Sequence, residues 1–190
     1  MVDRTEIEDA HFRVHEHVRF LHAYWYMFRQ IFRAPSEKQR LLADVIPEFF
    51  VLFQKALLRT IFLEFRLLTE KPETMGRRNA SLPGLLEALH GATWTSTAAA
   101  RHIEAVKMNS TVRTHVNRII AHIDWNTAVG VEPPPAAVRL DDIEDALANV
   151  RAVMQHLATE LKVPELDYTN SRIDHDVAKL FATLASLQEQ

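Results

Sequence analysis

Apolar residues recur every three or four positions along almost the whole chain, and this period constrains the fold more than any other feature of the sequence. The first segment carries one such stripe, formed by Val14, Val18, Leu21, Trp25, Phe28 and Phe32. We find no convincing run of the alternating pattern that marks a half-buried strand. Only 4 of the 190 residues are Gly, which is few for a protein built from strands and tight turns. The sequence therefore predicts an all-α protein.

Pro, Gly and capping residues divide this pattern into helices. Pro35 ends the first helix because it lacks the backbone N–H that a continuing helix needs. Ser36 and Gln39 have the spacing of a capping box for a short second helix, and a long third helix is predicted from about Pro47 to Thr69. Residues 70–80 are predicted as a loop, followed by a helix that Ser81 caps and Gly91 ends. Later helices are predicted over 97–124, from Asp141 or Asp142 to Lys162, and from Asp174 to Leu187.

Proline also marks the best linker in the chain, VGVEPPP at residues 129–135. Pro164 ends the helix before the last one. We predict a helical bundle over residues 1–163, and a C-terminal loop and helix, residues 164–190, that pack on this bundle.

Composition excludes several classes of function. There is no Cys, which rules out disulfides, thiolate metal sites and a Cys nucleophile. The net charge of −3 gives no general attraction to nucleic acid, so any such contact needs a local patch. No G-x-S-x-G motif or glycine-rich phosphate loop is present, and we expect no cofactor.

Two observations predict a cytoplasmic protein without a membrane segment. The start of the chain, MVDRTEIEDAHF, has no apolar region of the kind that a signal peptide needs. The most apolar run, residues 49–68, includes the charged residues Lys55, Arg59, Glu64 and Arg66, which are too many for a membrane span.

The stretch HVNRIIAHID, residues 115–124, carries the residues best suited to chemistry. On a helical wheel, one stripe faces the core and consists of Val112, Val116, Ile119, Ile120 and Ile123. His115, Arg118 and His122 fall on another face, and Asp124 follows at the helix end. A His can act as acid or base near neutral pH and an Arg can hold a phosphate, so this face suits phosphodiester chemistry without a metal. The alternative is the ordinary polar face of an amphipathic helix.

These residues resemble the last motif of the HEPN superfamily, and within it the abortive-infection AbiU-like group. A second stretch agrees with this resemblance. FLEFRLLTEKPETMGRRNASLPGLL, residues 62–86, is similar to that group's long helix ending in an apolar–Arg–Leu–Leu–Thr run, its loop and its Asn-x-Ser-Leu helix start. The resemblance covers about residues 5–160. It implies a HEPN-like helical bundle with long antiparallel helices that forms a symmetric homodimer.

The resemblance also implies a reaction. HEPN ribonucleases carry an Arg-x(4–6)-His motif, in which the His assists attack by the RNA 2′-hydroxyl and the Arg steadies the scissile phosphate. His122 matches the motif's His, but none of His115, Val116 and Asn117 is the Arg that the motif requires. Arg118 is one residue too close and Arg113 lies too far back. We take the catalytic residues to be His122, Arg118 and Asp124, and the residues that bind RNA or a nucleotide to be Arg113, His115 and Asn117.

Two functions therefore stay open, and the sequence leaves enzymatic activity undecided. The first is a HEPN-like protein of a phage-defence or toxin–antitoxin type system that acts as a metal-independent ribonuclease through His122. The second is a catalytically inactive helical dimer that binds a protein or nucleic-acid partner. A homodimer also has a physical argument, because the first and third helices carry more bulky apolar residues than a bundle of this size easily hides.

Other polar clusters have weaker claims. His11 and His15 have the spacing at which two imidazoles can chelate a transition metal, with Glu8 as a third ligand. The competing interpretation, which we prefer, is that these residues and His22 are half-buried histidines at the edge of a helix interface. Arg77 and Arg78 could bind an anion beside the helix start at Ser81, or could be solvated loop residues.

Overall fold

The computed structural model describes residues 3–33, 35–108, 139–165, 167–168 and 171–188. In chain order the described elements are α1 (Arg4–Phe32), α2 (Ser36–Val45), α3 (Pro47–Leu68), β1 (Glu73–Thr74), β2 (Arg77–Arg78), α4 (Leu82–His90), a 3-10 helix (Gly91–Ser96), α5 (Ala98–Met108), α6 (Leu140–Leu161) and α7 (Ser171–Gln188). The prediction of an all-α protein is confirmed. The antiparallel packing of long helices and the dimer stay predictions.

For two helices, α2 and α6, the predicted N-terminal capping residue is wrong. Pro35, with ψ of 148°, occupies the N-cap position of α2, and no side chain caps this helix. The Gln39 side chain instead donates to the carbonyl oxygen of Phe32 at 2.9 Å, so it serves the end of α1. Asp141 and Asp142 lie within the first turn of α6, where negative charge favours the positive end of the helix dipole, and the N-cap position belongs to Arg139.

The described chain divides into two compact units. The first contains residues 1–18 and 62–166, and the second contains residues 19–61 and 167–190. Helices α1 and α3 each contribute residues to both units. The predicted division between residues 1–163 and 164–190 stays a prediction.

The core of the first unit is built on α6, which packs against α5 and α4. One face of α6 is buried along its whole length, at Ile143, Ala146, Leu147, Val150, Val153, Met154, Leu157, Ala158 and Leu161. This spacing of three and four is the stripe that a core-facing helix needs. From α5, Ile103 and Val106 complete the contact.

The second unit combines an aromatic cluster with a contact between α2 and α7. The Trp25 and Phe28 rings stack with centroids 5.6 Å apart, and the Phe32 ring lies 4.8 Å from that of Phe50. The Tyr26 hydroxyl donates to Asp174 at 2.5 Å, which fastens α7 to α1 within this unit.

None of the helices that the structure describes is both long enough and apolar enough to span a bilayer.

Candidate functional site

All six residues that we assign to the RNA site lie outside the described residues: His122, Arg118, Asp124, Arg113, His115 and Asn117. Their assignment therefore stays a prediction. The functional features that the structure does describe are the segment after α3, the histidines of α1, and the outward face of α3.

The segment after α3 is a β-hairpin where the sequence predicted a loop. Strands β1 and β2 pair antiparallel, with Glu73 opposite Arg78 and Thr74 opposite Arg77. Met75 and Gly76 connect them with φ of 51° and 75°, the two positive values of a type I′ turn. Strands of two residues are too short to show alternation, and Met-Gly lacks the Asn or Asp that usually marks this turn. These are the reasons why the hairpin escapes detection from sequence.

The base of the hairpin is closed by Asn79. Its side-chain amide donates to the carbonyl oxygen of Lys71 at 2.7 Å and to the Thr74 hydroxyl at 2.8 Å. Its backbone N–H donates to the carbonyl oxygen of Pro72 at 2.8 Å. One residue thus satisfies three groups of the hairpin and fixes where its strands begin and end.

Ser81 joins this hairpin to α4, and its predicted capping role is confirmed. The side chain is completely buried. Its hydroxyl accepts from the Gly84 N–H at 3.1 Å, which caps α4, and donates to the carbonyl oxygen of Glu70 at 3.0 Å. Gly84 is required by close packing, because a Cβ at this position would lie 2.2 Å from the Asn79 carbonyl oxygen. The Asn-x-Ser-Leu run is therefore a structural joint.

The outer surface of the hairpin is polar and open. Met75 at its tip is 98% exposed, and Arg77 and Arg78 are exposed as well. Arg78 also lines an open cleft of about 830 Å³ in the first unit, together with Glu6 of α1 and Glu87 of α4. Because two acidic side chains and one basic side chain line this cleft, it has no excess of positive charge, and it does not support the prediction of an anion site.

Three of the four histidines of α1 are more deeply buried than predicted. His11, His15 and His22 have exposed fractions of 5%, 7% and 7%. Burial lowers the pKa of His11, and the neighbouring His15 lowers it further. Within the part of the chain that the structure describes, no three His, Cys, Asp or Glu side chains are placed to hold a metal ion. The alternative of a metal site at His11, His15 and Glu8 is therefore unsupported.

In the second unit, His22 has an aromatic neighbour. Its ring stacks on that of Tyr168 with centroids 5.0 Å apart. Burial raises the pKa of Tyr168 to about 12, so its hydroxyl stays protonated throughout the neutral range and the contact is between two neutral rings when His22 is neutral.

The comparison with protein families matches the HEPN model described as AbiU2 to residues 5–180 of this chain. The matched range contains all of α1 except its first residue, together with the β1–β2 hairpin, the start of α4 and the stretch HVNRIIAHID. The chain belongs to the AbiU2 family of HEPN proteins. This confirms the AbiU-like resemblance and extends its C-terminal limit beyond residue 160. Comparisons with curated proteins and with solved structures give no match.

The second stretch that resembles the AbiU2 family has a structural role in this chain. The residues that carried the second part of the resemblance, Asn79, Ser81 and Leu82, serve the fold: one closes the hairpin, one caps α4, and one is fully buried. In this AbiU2 protein that signature therefore reports the architecture, and the assignment of chemistry to residues 113–124 stays a prediction.

Proposed function

We propose that this AbiU2-family protein acts in a phage-defence or toxin–antitoxin type system as a cytoplasmic, metal-independent ribonuclease that works through His122. The observation that supports this function is the family match over residues 5–180, because that range includes His122 and Asp124. The exclusion of Cys and glycine-loop chemistry by composition points in the same direction.

The proposed reaction needs a base and a cation. His122 takes the proton of an RNA 2′-hydroxyl, whose oxygen then attacks the adjacent phosphorus. The bond from phosphorus to the 5′-oxygen of the next nucleotide breaks, and that oxygen takes up a proton. Arg118 stabilises the charge that builds on the phosphate, and Asp124 orients the imidazole. Arg113, His115 and Asn117 bind the flanking RNA.

Arg118 of this chain stands one residue closer to His122 than the HEPN motif places its arginine. None of residues 115–117 is Arg, and Val116 belongs to the apolar stripe of its predicted helix. Arg118 shares a predicted face with His122, so it is the cation that we assign. Arg118→Lys keeps the charge but loses the planar pair of donors, and we expect it to lower cleavage less than Arg118→Ala does.

The decisive experiment measures RNA cleavage by the purified chain in the presence of a metal chelator. We expect wild type to cleave and His122→Ala to lose roughly 100-fold or more of the rate, the usual contribution of a general base. His175→Ala is the matched control, because His175 is an exposed imidazole on α7. Equal residual cleavage by wild type and His122→Ala would contradict the proposal.

The second candidate function is a catalytically silent helical module that binds a cognate protein or nucleic acid. The exposed apolar residues of α3 favour it, because large apolar side chains in a row on a surface mark interaction sites. This function predicts that wild type shows no RNA cleavage, and that His122→Ala keeps full biological activity.

A further inference from the structure

Helix α3 exposes a stripe of apolar residues in the second unit. We define the α3 stripe as Phe49, Leu52, Phe53 and Ala56, whose spacing of three, four and seven places them on one face of the helix. Phe49 is 61% exposed and Leu52 is 64% exposed, whereas Leu57, one turn after Phe53 on the side of α3 that faces the core, is buried. The stripe thus borders the core face of α3 at Phe53 and is open to solvent at Phe49 and Leu52.

The aromatic part of the stripe is held in place by its neighbours. The Phe49 and Phe53 rings stack with centroids 5.5 Å apart. The Phe53 ring in turn lies 6.2 Å from that of Phe32, which belongs to the packed cluster. Because these rings are already ordered, a partner that covers them loses little further side-chain freedom.

The charges beside the stripe indicate what this partner is. One flank of the stripe carries Glu48 at its N-terminal end and the basic residues Lys55 and Arg59 about two and three turns later. All three are exposed, and none has an ion pair or hydrogen bond to another residue that the structure describes.

When two copies of this flank run in opposite directions, the acidic end of each copy meets the basic end of the other. When two copies of a helix pair antiparallel about a two-fold axis, each flank meets the same flank of the other copy in the opposite direction. An axis passing between residues 53 and 54 sets Glu48 of one copy opposite Arg59 of the other, with Lys55 one turn away. The symmetry forms this contact twice, whereas an unrelated acidic or basic partner would match only part of the flank.

We propose that two copies of this chain associate through antiparallel pairing of their α3 stripes. The apolar centre is Leu52 and Phe53 of each copy, and the Glu48–Arg59 pairs set the register. This deepens the homodimer that we expect for the family by assigning its surface. It depends on α3 alone and holds whether or not His122 is catalytic.

The first experiment measures molecular mass in solution by sedimentation equilibrium, without RNA. Wild type is expected to be a dimer at micromolar concentration, and Leu52→Glu is expected to weaken association roughly thirtyfold or more, as for a central interface residue. Phe12→Glu is the matched control, because Phe12 is 58% exposed on α1 in the first unit. A monomeric wild type, or a Leu52→Glu variant that dimerises as well as wild type, would overturn the proposal.

Charge reversal tests the register. Glu48→Arg and Arg59→Glu should each weaken the dimer, because each places like charges opposite one another. The double variant restores opposite charges and should recover most of the wild-type affinity. A double variant weaker than either single variant would overturn the antiparallel pairing. All of these positions are exposed, so circular dichroism should give wild-type helix content for each variant.

Discussion

His11 lies within the buried face of α1, and its Nε2 atom makes no hydrogen bond to any residue that the structure describes. Burial is the main reason that its pKa is lowered from 6.5, and the neighbouring His15 adds to this shift. A proton on His11 would place charge where no described residue compensates it. At the scale of single residues, this neutral imidazole is the clearest case in which the fold changes the chemistry of a side chain.

The lowered pKa of His11 predicts how acid affects stability. In the unfolded chain His11 takes up a proton near pH 6.5, but in the folded chain it does so only at lower pH. Between these values the unfolded state binds more protons, so the contribution of His11 is fully present above about pH 6.5 and is lost as the pH falls through the folded pKa.

We therefore expect His11→Leu to flatten the dependence of the unfolding free energy on pH below neutrality. Urea denaturation over a series of pH values measures it. His175→Leu, at an exposed position of α7, is the control for replacing an imidazole by an apolar side chain. Parallel curves for His11→Leu and wild type would contradict the prediction, because they would show that the pKa of His11 does not change on folding.

At the scale of elements, the hairpin and the start of α4 form one joint. Ser81 is buried and bonded on both sides, and Gly84 fits only because it lacks a Cβ. The hairpin buries little apolar surface of its own. The hydrogen bonds of Ser81 and the close contact at Gly84 therefore hold it against α4.

Gly84→Ala should destabilise the protein by roughly 1–3 kcal/mol, the usual effect of forcing a methyl group into a packed site. The added Cβ would meet the Asn79 carbonyl oxygen, which is backbone and cannot move freely. Gly76→Ala is an informative comparison, because a Cβ at Gly76 meets nothing within 4 Å and only its φ of 75° opposes the change. Thermal unfolding of both variants separates a steric effect from a backbone effect.

The tip of the same hairpin predicts a stabilising change. Met75 adopts φ of 51°, a region that Asn tolerates better than Met, and its side chain is almost fully exposed. Met75→Asn should therefore raise the unfolding free energy by up to about 1 kcal/mol. Denaturant midpoints measure the change, and a decrease would mean that the Met75 side chain makes a contact important to the folded state.

The hairpin and the start of α4 also show which structural features can be predicted from the local sequence. Ser81 and Gly91 were identified as helix boundaries because capping depends on one or two residues. Gln39 was assigned wrongly, since its amide has a choice between a local N–H and the end of α1, and only the packing decides. The hairpin cannot be predicted in the same way, because the Asn79 amide stabilises its pairing and the spacing of residues in the sequence does not indicate such a hydrogen bond.

The candidate functional residues also divide into those that the sequence predicts and those that depend on tertiary packing. The burial of His11 was underestimated because a wheel places a residue at the edge of a stripe but does not show what covers that edge. The outward-facing residues of α3 could be anticipated only as an excess of bulky apolar side chains, because which of them stay uncovered depends on tertiary packing. His122 and its neighbours were identified by resemblance, and the family match supports that ancestry without testing their geometry.

At the scale of the whole molecule, two surfaces separate the possible functions. In the proposed function, ribonuclease activity depends on His122; in the proposed dimer, association depends on the α3 stripe. Expression in cells challenged with phage should therefore give different patterns for His122→Ala and Leu52→Glu. If the protein is a ribonuclease that requires a dimer, both variants lose protection. If it is a binding module, only Leu52→Glu does.

Plaque counts on lawns expressing each chain at matched levels measure this protection. Phe12→Glu serves again as the control for an exposed apolar residue replaced by a charge. Full protection by both His122→Ala and Leu52→Glu would contradict both functions together.

The exposure of Met75 has one practical consequence. Its thioether is 98% exposed, whereas that of Met154 is 3% exposed within the core of the first unit. Peroxide will reach the outer sulfur first and convert it to the sulfoxide, while the interior one survives. Peptide mass spectrometry of peroxide-treated protein should therefore find added oxygen at the turn between β1 and β2 before it finds any at Met154.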